Sequence, residues 1–304
     1  MITNQLALVR RELWEHRSIF VTPAAVALVM SLIVLTAYVA ASGFGEVVDI
    51  GIITAQNVGE TERRIALMGL LLSNAVVFII AAGILTIFYC LDSLYAERKN
   101  KSILFWRSLP VTDAETVISK LLTAIVAIPL ITFVAVVIGH LVNLILSSIF
   151  VSIEGGSPGH LIWSSVPLFD VWLSMLIIMI ATPIWMSPFI GWFLFVSAWT
   201  KRSPLLTAFL PILILPMIEF FILRTTFLWT AISSRSAKLP LFSGFDVSVF
   251  DDDSFHDMTS DSVSILAHID LVKFFTSPGL WAGLIVCGLL STAAIYVRRY
   301  RDES

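Results

Sequence analysis

An all-α integral membrane protein with six transmembrane helices is the fold class this sequence predicts. Three observations carry that expectation. Of 304 residues, 58% are hydrophobic and only 13% are charged, about half the charged share of a soluble domain. The apolar residues gather into runs long enough to cross a bilayer, which takes about 20 residues. The basic residues fall between the runs, with a strong bias to alternate gaps.

Residues 1–18 come first. Ile2, Leu6, Val9 and Leu13 recur at helical spacing, with Arg10, Arg11, Glu12, Glu15 and Arg17 over the rest of the surface. This predicts an N-terminal amphipathic interface helix, with Trp14 beside the first span. An ordinary solvated helix is the plainer alternative. The first span covers about 19 to 41. It is too long for a signal-peptide core and follows a polar stretch, so it reads as a retained helix. A loop with Glu46, Asp49, Glu60, Glu62, Arg63 and Arg64 leads to the second span, about 66 to 90. A polar, basic segment, 91–116, follows. The third span, about 117 to 146, contains Pro129, and a Gly-rich loop from Glu154 to Pro158 comes after it. The fourth, about 167 to 199, is long and broken by Pro183 and Pro188. Lys201 and Arg202 make a short turn into the fifth, about 204 to 228, with Pro211 and Pro216. An outer polar segment, 229–276, precedes the last span, about 278 to 297, which opens with Ser277 as N-cap and Pro278 at the first helical position. No repeat or flexible linker divides the chain, so 1–304 reads as a single membrane domain.

Thirteen of the basic residues lie on one side of this layout and six on the other. The positive-inside rule then places both termini and the 91–116 segment in the cytoplasm, which requires an even number of spans. Cys90 and Cys287 sit in or beside apolar runs. They read as small buried residues, with no disulfide framework and no metal site.

The most informative stretch lies between spans two and three. It carries Glu97, Arg98, Lys99 and Lys101, then Ile103, Leu104, Phe105 and Trp106, then Arg107. Pro110 forces Leu109 out of helical geometry. Thr112 with Glu115 three residues on is a capping box. The pattern predicts a short cytoplasmic helix, a break, and a fresh helix entering the membrane. Its exposed aromatic residues need cover. Dipping into the interface, where Trp is favoured, and docking a soluble partner through aromatic anchors flanked by Arg both satisfy the spacing.

The run Leu94-Tyr95-x-Glu97-Arg98-x-x-x-Ser102-Ile103-Leu104, with Leu109-Pro110-Val111 and then Lys120, resembles the ABC-2 type transporter permeases. The layout is similar too: an amphipathic start, six spans, and a long outer segment before the last. The resemblance implies that 91–116 holds a coupling helix that meets a nucleotide-binding subunit. Glu97, Arg98, Ser102, Leu109, Pro110 and Lys120 occupy matching positions, and Phe105, Trp106 and Arg107 lie in the corresponding helix. It further implies an exporter subunit in a bacterial inner membrane, with two copies of this chain forming the pathway among membrane lipid and two ATPase copies driving it. ATP and Mg would be bound by that partner, and no cofactor or nucleic acid by this chain. The sequence holds no Gly-x-x-x-x-Gly-Lys-Ser/Thr phosphate loop, so ATP sites are expected on a separate chain.

Other residues carry weaker signals. Glu219 and Arg224 lie in the fifth span, and intramembrane charge is costly and often functional. They are about 140° apart on a helix, so poor partners for each other. Arg224 is expected to snorkel, and Glu219 either to face a pathway or a neighbouring helix or to pair structurally. Asn74, His140 and Asn143 are expected to form interhelical hydrogen bonds rather than to bind substrate. The Asp251, Asp252, Asp253 and Asp257 cluster lacks the glycine turn and terminal glutamate of a calcium loop, and reads as a solvated acidic loop. Ile265, Ile269 and Val272 predict a short amphipathic helix within Ser262 to Phe275. A non-transporting scaffold or sensor subunit is the alternative function. An intramembrane enzyme is disfavoured, since no paired Asp, Ser/His or His-x-x-Glu-His arrangement appears.

Overall fold

In a bilayer every backbone polar group must be satisfied within the chain, and helices do this segment by segment. The computed structural model describes residues 2–43, 53–54, 56–101, 111–237, 239–242 and 264–300, which are helical almost throughout. Helix α1 is Ile2–Glu15 and α2 is Ser18–Ser42. Helix α3, Glu60–Lys99, has 40 residues. At 1.5 Å per residue it is about 60 Å long, twice the hydrocarbon thickness, so it projects well beyond the apolar layer. Helix α4, Asp113–Leu122, runs through a π-helical turn, Thr123–Ala127, into α5, Ile128–Ile153. The wider turn sits where the Pro129 ring would press on the carbonyl four residues back, so the helix widens there without breaking. A second π turn, Gly159–Trp163, leads to α6, Leu168–Trp185, and α7, Ser187–Trp199. Helix α8 is Pro204–Leu223 and α9 is Phe227–Ala237. A 3₁₀ turn, Leu266–His268, precedes α10, Leu271–Thr276, and α11, Pro278–Tyr300.

Among the described residues six helices are long and apolar enough to cross a membrane: Ser18–Ala41, Glu60–Lys99, Asp113–Ile153, Leu168–Trp185, Pro204–Leu223 and Pro278–Tyr300. The expected capping box is present, with Thr112 accepting from the Glu115 N–H and Glu115 accepting from the Thr112 N–H. Cys90 and Cys287 are buried and free.

Four expectations change. The fourth span is two helices, broken at Met186 (φ −81°, ψ 6°), because Pro188 removes the N–H that would close the ladder there. The fifth ends at Leu223 rather than 228, where Arg224 takes a left-handed φ of 54°, and α9 starts afresh at Phe227 and runs into what was expected to be the polar segment. Ser264 to Phe275 is not one amphipathic helix. Asp270 accepts from the Lys273 N–H and starts α10 anew, so Ile265 is buried while Val272 is 73% exposed. Glu12, expected on the charged surface of α1, is fully buried, whereas Leu6 and Trp14 are exposed.

Helix α7 is held between α3 and α11. Ser197 Oγ accepts from the Leu94 and Tyr95 N–H groups at 3.1 and 3.0 Å, and donates to the Leu91 carbonyl at 2.7 Å. On its other side Gly191 faces the α11 backbone so closely that a Cβ would lie 3.1 Å from Cys287 Cα. Small residues permit this approach in membrane bundles.

Candidate functional site

Lys120 lies near the start of a largely apolar helix and is fully buried. A buried ammonium requires a carboxylate partner, and it has two. Its Nζ lies 2.9 Å from Glu12 Oε2 on α1 and 2.9 Å from Glu97 Oε1 near the end of α3. Tyr89 donates to Glu12 Oε2 at 3.1 Å. The second Glu97 oxygen pairs with Arg298 Nη1 on α11. Arg298 Nε donates to Asp113 Oδ1 at 2.8 Å. Arg11 completes the set, with Nη2 2.6 Å from Glu12 and 3.1 Å from Glu97. Among the described residues Lys120, Arg11 and Arg298 thus face Glu12, Glu97 and Asp113, with Glu15 at the margin 3.6 Å from Arg11. Glu12, Glu97, Lys120 and Arg298 are all buried.

The placement matters as much as the pairing. Glu97 stands near the end of α3 and Asp113 at the start of α4, the two stems of the segment between them. The network fastens both stems to α1 through Glu12 and Arg11, and to α11 through Arg298. The C-terminal ends of α1 and α11 therefore lie at this end of the bundle. Arg98 secures a further helix, donating from Nη2 to the Ser197 and Thr200 carbonyls at the end of α7, at 2.6 and 2.7 Å. Basic groups at a helix C-terminus also complement its dipole.

The sequence-based candidates separate accordingly. Ser102, Phe105, Trp106, Arg107 and Pro110 lie outside the described residues. Glu97, expected among the docking residues, is 1% exposed and turned inward, because Lys120 and Arg298 sit behind it. Arg98 likewise reaches α7. Glu219 ties a turn together: it accepts from Thr225 Oγ1 at 2.7 Å and from the Phe227 and Leu228 N–H groups at 2.8 Å each, capping α9. His140 accepts from Trp172 Nε1 of α6 at 3.3 Å, an interhelical bond as expected.

Sequence reasoning missed Glu12, Asp113, Arg298 and Arg11 as members of one cluster. A legible signal existed for Glu12, which lies one turn after Leu8 on the buried face. At the other end of the bundle, Arg235 Nε and Nη2 donate to the Trp185 and Gly279 carbonyls at 2.9 and 3.0 Å, with its guanidinium 4.4 Å over the Trp185 ring. Asp170 accepts from the Ile265 and Leu266 N–H groups at 3.1 and 3.2 Å. Among the described residues no group of His, Cys, Asp and Glu is arranged to hold a metal.

The family profile of the ABC-2 family transporter proteins matches residues 65–244, more than half of the chain. The chain belongs to that family. No curated protein and no solved structure matches it. In this ABC-2 family transporter protein the match covers α3 to α9 and so includes Glu97, Asp113 and Lys120. Glu12, Arg11 and Arg298 lie outside the matched stretch. The ion-pair network therefore joins the family's common part to the first and last helices of the chain.

Proposed function

We propose that this chain is the membrane-spanning permease subunit of an ATP-binding-cassette exporter. Two copies form the pathway, and two separate ATPase subunits, which bind the ATP and Mg, drive it. The 102–110 segment is the docking element, with Phe105, Trp106 and Arg107 as anchors. Both termini face the cytoplasm of a bacterial inner membrane, as the basic-residue bias favours.

One observation supports this reading most directly. Both stems of the docking segment are tied by buried ion pairs to α1 and α11. A push on that segment is then a push on four helices at once. Rigid-body tilting of packed helices is a common way to switch access, and it needs a stiff connection at the point where force enters. Glu97 and Arg98 supply the stiffness rather than the contact surface.

Co-purification with the candidate ATPase tests the proposal. Trp106→Ala and Arg107→Glu are expected to abolish association and the permease-dependent part of ATP turnover, while leaving the chain folded by circular dichroism. Unchanged association in both variants overturns the docking assignment. Association without cargo movement in vesicles points instead to a scaffold or sensor subunit.

A further inference from the structure

A separate polar site lies between α2, α3 and α5. It is a cavity of about 110 Å³, room for several waters. Asn74, His140 and Asn143 line it together with Tyr38 and Ser147. Asn74 is 8% exposed and His140 fully buried. Asn74 Oδ1 and Asn143 Oδ1 are buried with no hydrogen-bond partner. Trp172 donates to His140 Nδ1, which leaves the neutral ring's proton on Nε2. That N–H faces the Leu71 backbone at the margin of hydrogen-bonding geometry. Tyr38 and Ser147 satisfy each other, and Ser147 also bonds the Asn143 carbonyl.

Two unsatisfied acceptors and a poorly satisfied ring donor therefore belong to residues that line one space. Each such group left dry in an apolar interior costs free energy comparable to a lost hydrogen bond, and three around one cavity call for an occupant. No charged side chain lines the cavity, so the occupant is neutral. It must both donate and accept, as a hydroxyl does. The remaining walls are aliphatic, and one of them, Leu70, is 66% exposed on a membrane-spanning helix. The cavity thus reaches the lateral surface of the bundle, where a molecule dissolved in the bilayer meets it.

We infer that this cavity binds the uncharged, hydroxyl-bearing headgroup of an amphiphile, with Asn74, Asn143 and His140 holding the headgroup and the aliphatic wall its chain. The site is made by this chain alone and stands whether or not an ATPase docks at 102–110.

The test uses the full chain in nanodiscs and a glycerol monoester carrying a diazirine in its acyl chain. Saturable photolabelling is expected, mapped by peptide mass spectrometry to α2, α3 and α5. Unlabelled glycerol monoester is expected to compete, and the fatty acid and the alkyl trimethylammonium of equal chain length are not. Asn74→Leu and Asn143→Leu each remove one polar contact and are expected to weaken labelling about five- to tenfold. Thermal unfolding of both variants is compared with the parent. If Asn74→Leu does not fold, Asn143→Leu and the competition series decide. Equal competition by the charged amphiphiles, or labelling unaffected by the substitutions, overturns the inference. Non-saturable labelling does so too, and leaves a pocket that holds water only.

Discussion

Lys120 shows how one residue organises the end of the bundle. Its ammonium is buried between Glu12 and Glu97, and removing it leaves both carboxylates to share Arg11, with Arg298 on the other Glu97 oxygen. Breaking a buried pair by deleting one partner costs about 3–5 kcal/mol, whereas replacing the charges together with apolar or neutral groups can be nearly neutral. Lys120→Ala is therefore expected to lower stability by about 3–5 kcal/mol in a denaturant titration in detergent. Lys120→Met combined with Glu12→Gln should recover most of that loss, because Glu97 keeps Arg298. A Lys120→Ala loss under about 1 kcal/mol would show that the network is solvated. The pair was half legible in the sequence. A lysine just inside an apolar run announces a buried partner. Which carboxylate supplies it depends on how α1 docks, and helical spacing alone assigned Glu12 to the surface because five charged residues crowd a short amphipathic helix.

At the scale of the helices, the breaks were harder to read than the spans. Hydropathy marks a run but not where the ladder opens: Pro183 and Pro188 announced a break in the fourth span without fixing it at Met186, and the break at Arg224 became visible only in three dimensions. The break at Met186 sits where another element supplies a missing partner. Arg235 of α9 binds the Trp185 carbonyl at the end of α6 and the Gly279 carbonyl at the start of α11. Gly283 makes room for it, since a Cβ there would lie 1.8 Å from Arg235 Nη2. Gly283→Ala should push the guanidinium off its two carbonyls, and Arg235→Lys should lose the fork that reaches both. Each is expected to cost about 1–3 kcal/mol. Because they break the same contact, the double variant should cost little more than either alone. Thermal unfolding of the three proteins checks this, and additive losses would separate the two effects. Gly191 makes a firmer demand. Its neighbour is the Cys287 backbone rather than a side-chain tip, so Gly191→Val should part α7 from α11 and cost about 1–3 kcal/mol. A disulfide cross-link between cysteines placed on facing positions of the two helices would slow in that variant, and an unchanged rate would refute the close contact.

For the whole molecule, the six-span layout was legible because bilayer thickness fixes the length of each run, and the family resemblance was carried by about thirty residues around α3 and α4. The linkage between ends of the chain was not legible, since Glu12, Glu97 and Arg298 are distant in sequence and meet only on folding. That linkage makes a prediction about motion. If α1, the end of α3, the start of α4 and the end of α11 are one body, force applied at 102–110 moves them together. Spin labels on Asn4 of α1 and Arg299 of α11, both exposed, should then keep one narrow distance distribution in the complex with its ATPase, with or without ATP. Arg298→Gln removes the pairs to Glu97 and Asp113 and leaves the 102–110 anchors intact. The ATPase should still bind, the distance distribution should broaden, and cargo moved per ATP should fall. The docking surface and the transmission behind it would then be separated in one experiment. A narrow distribution with unaltered transport in Arg298→Gln would mean that α11 is held by its packing on α7 instead, and that the ion pairs serve the fold rather than the stroke.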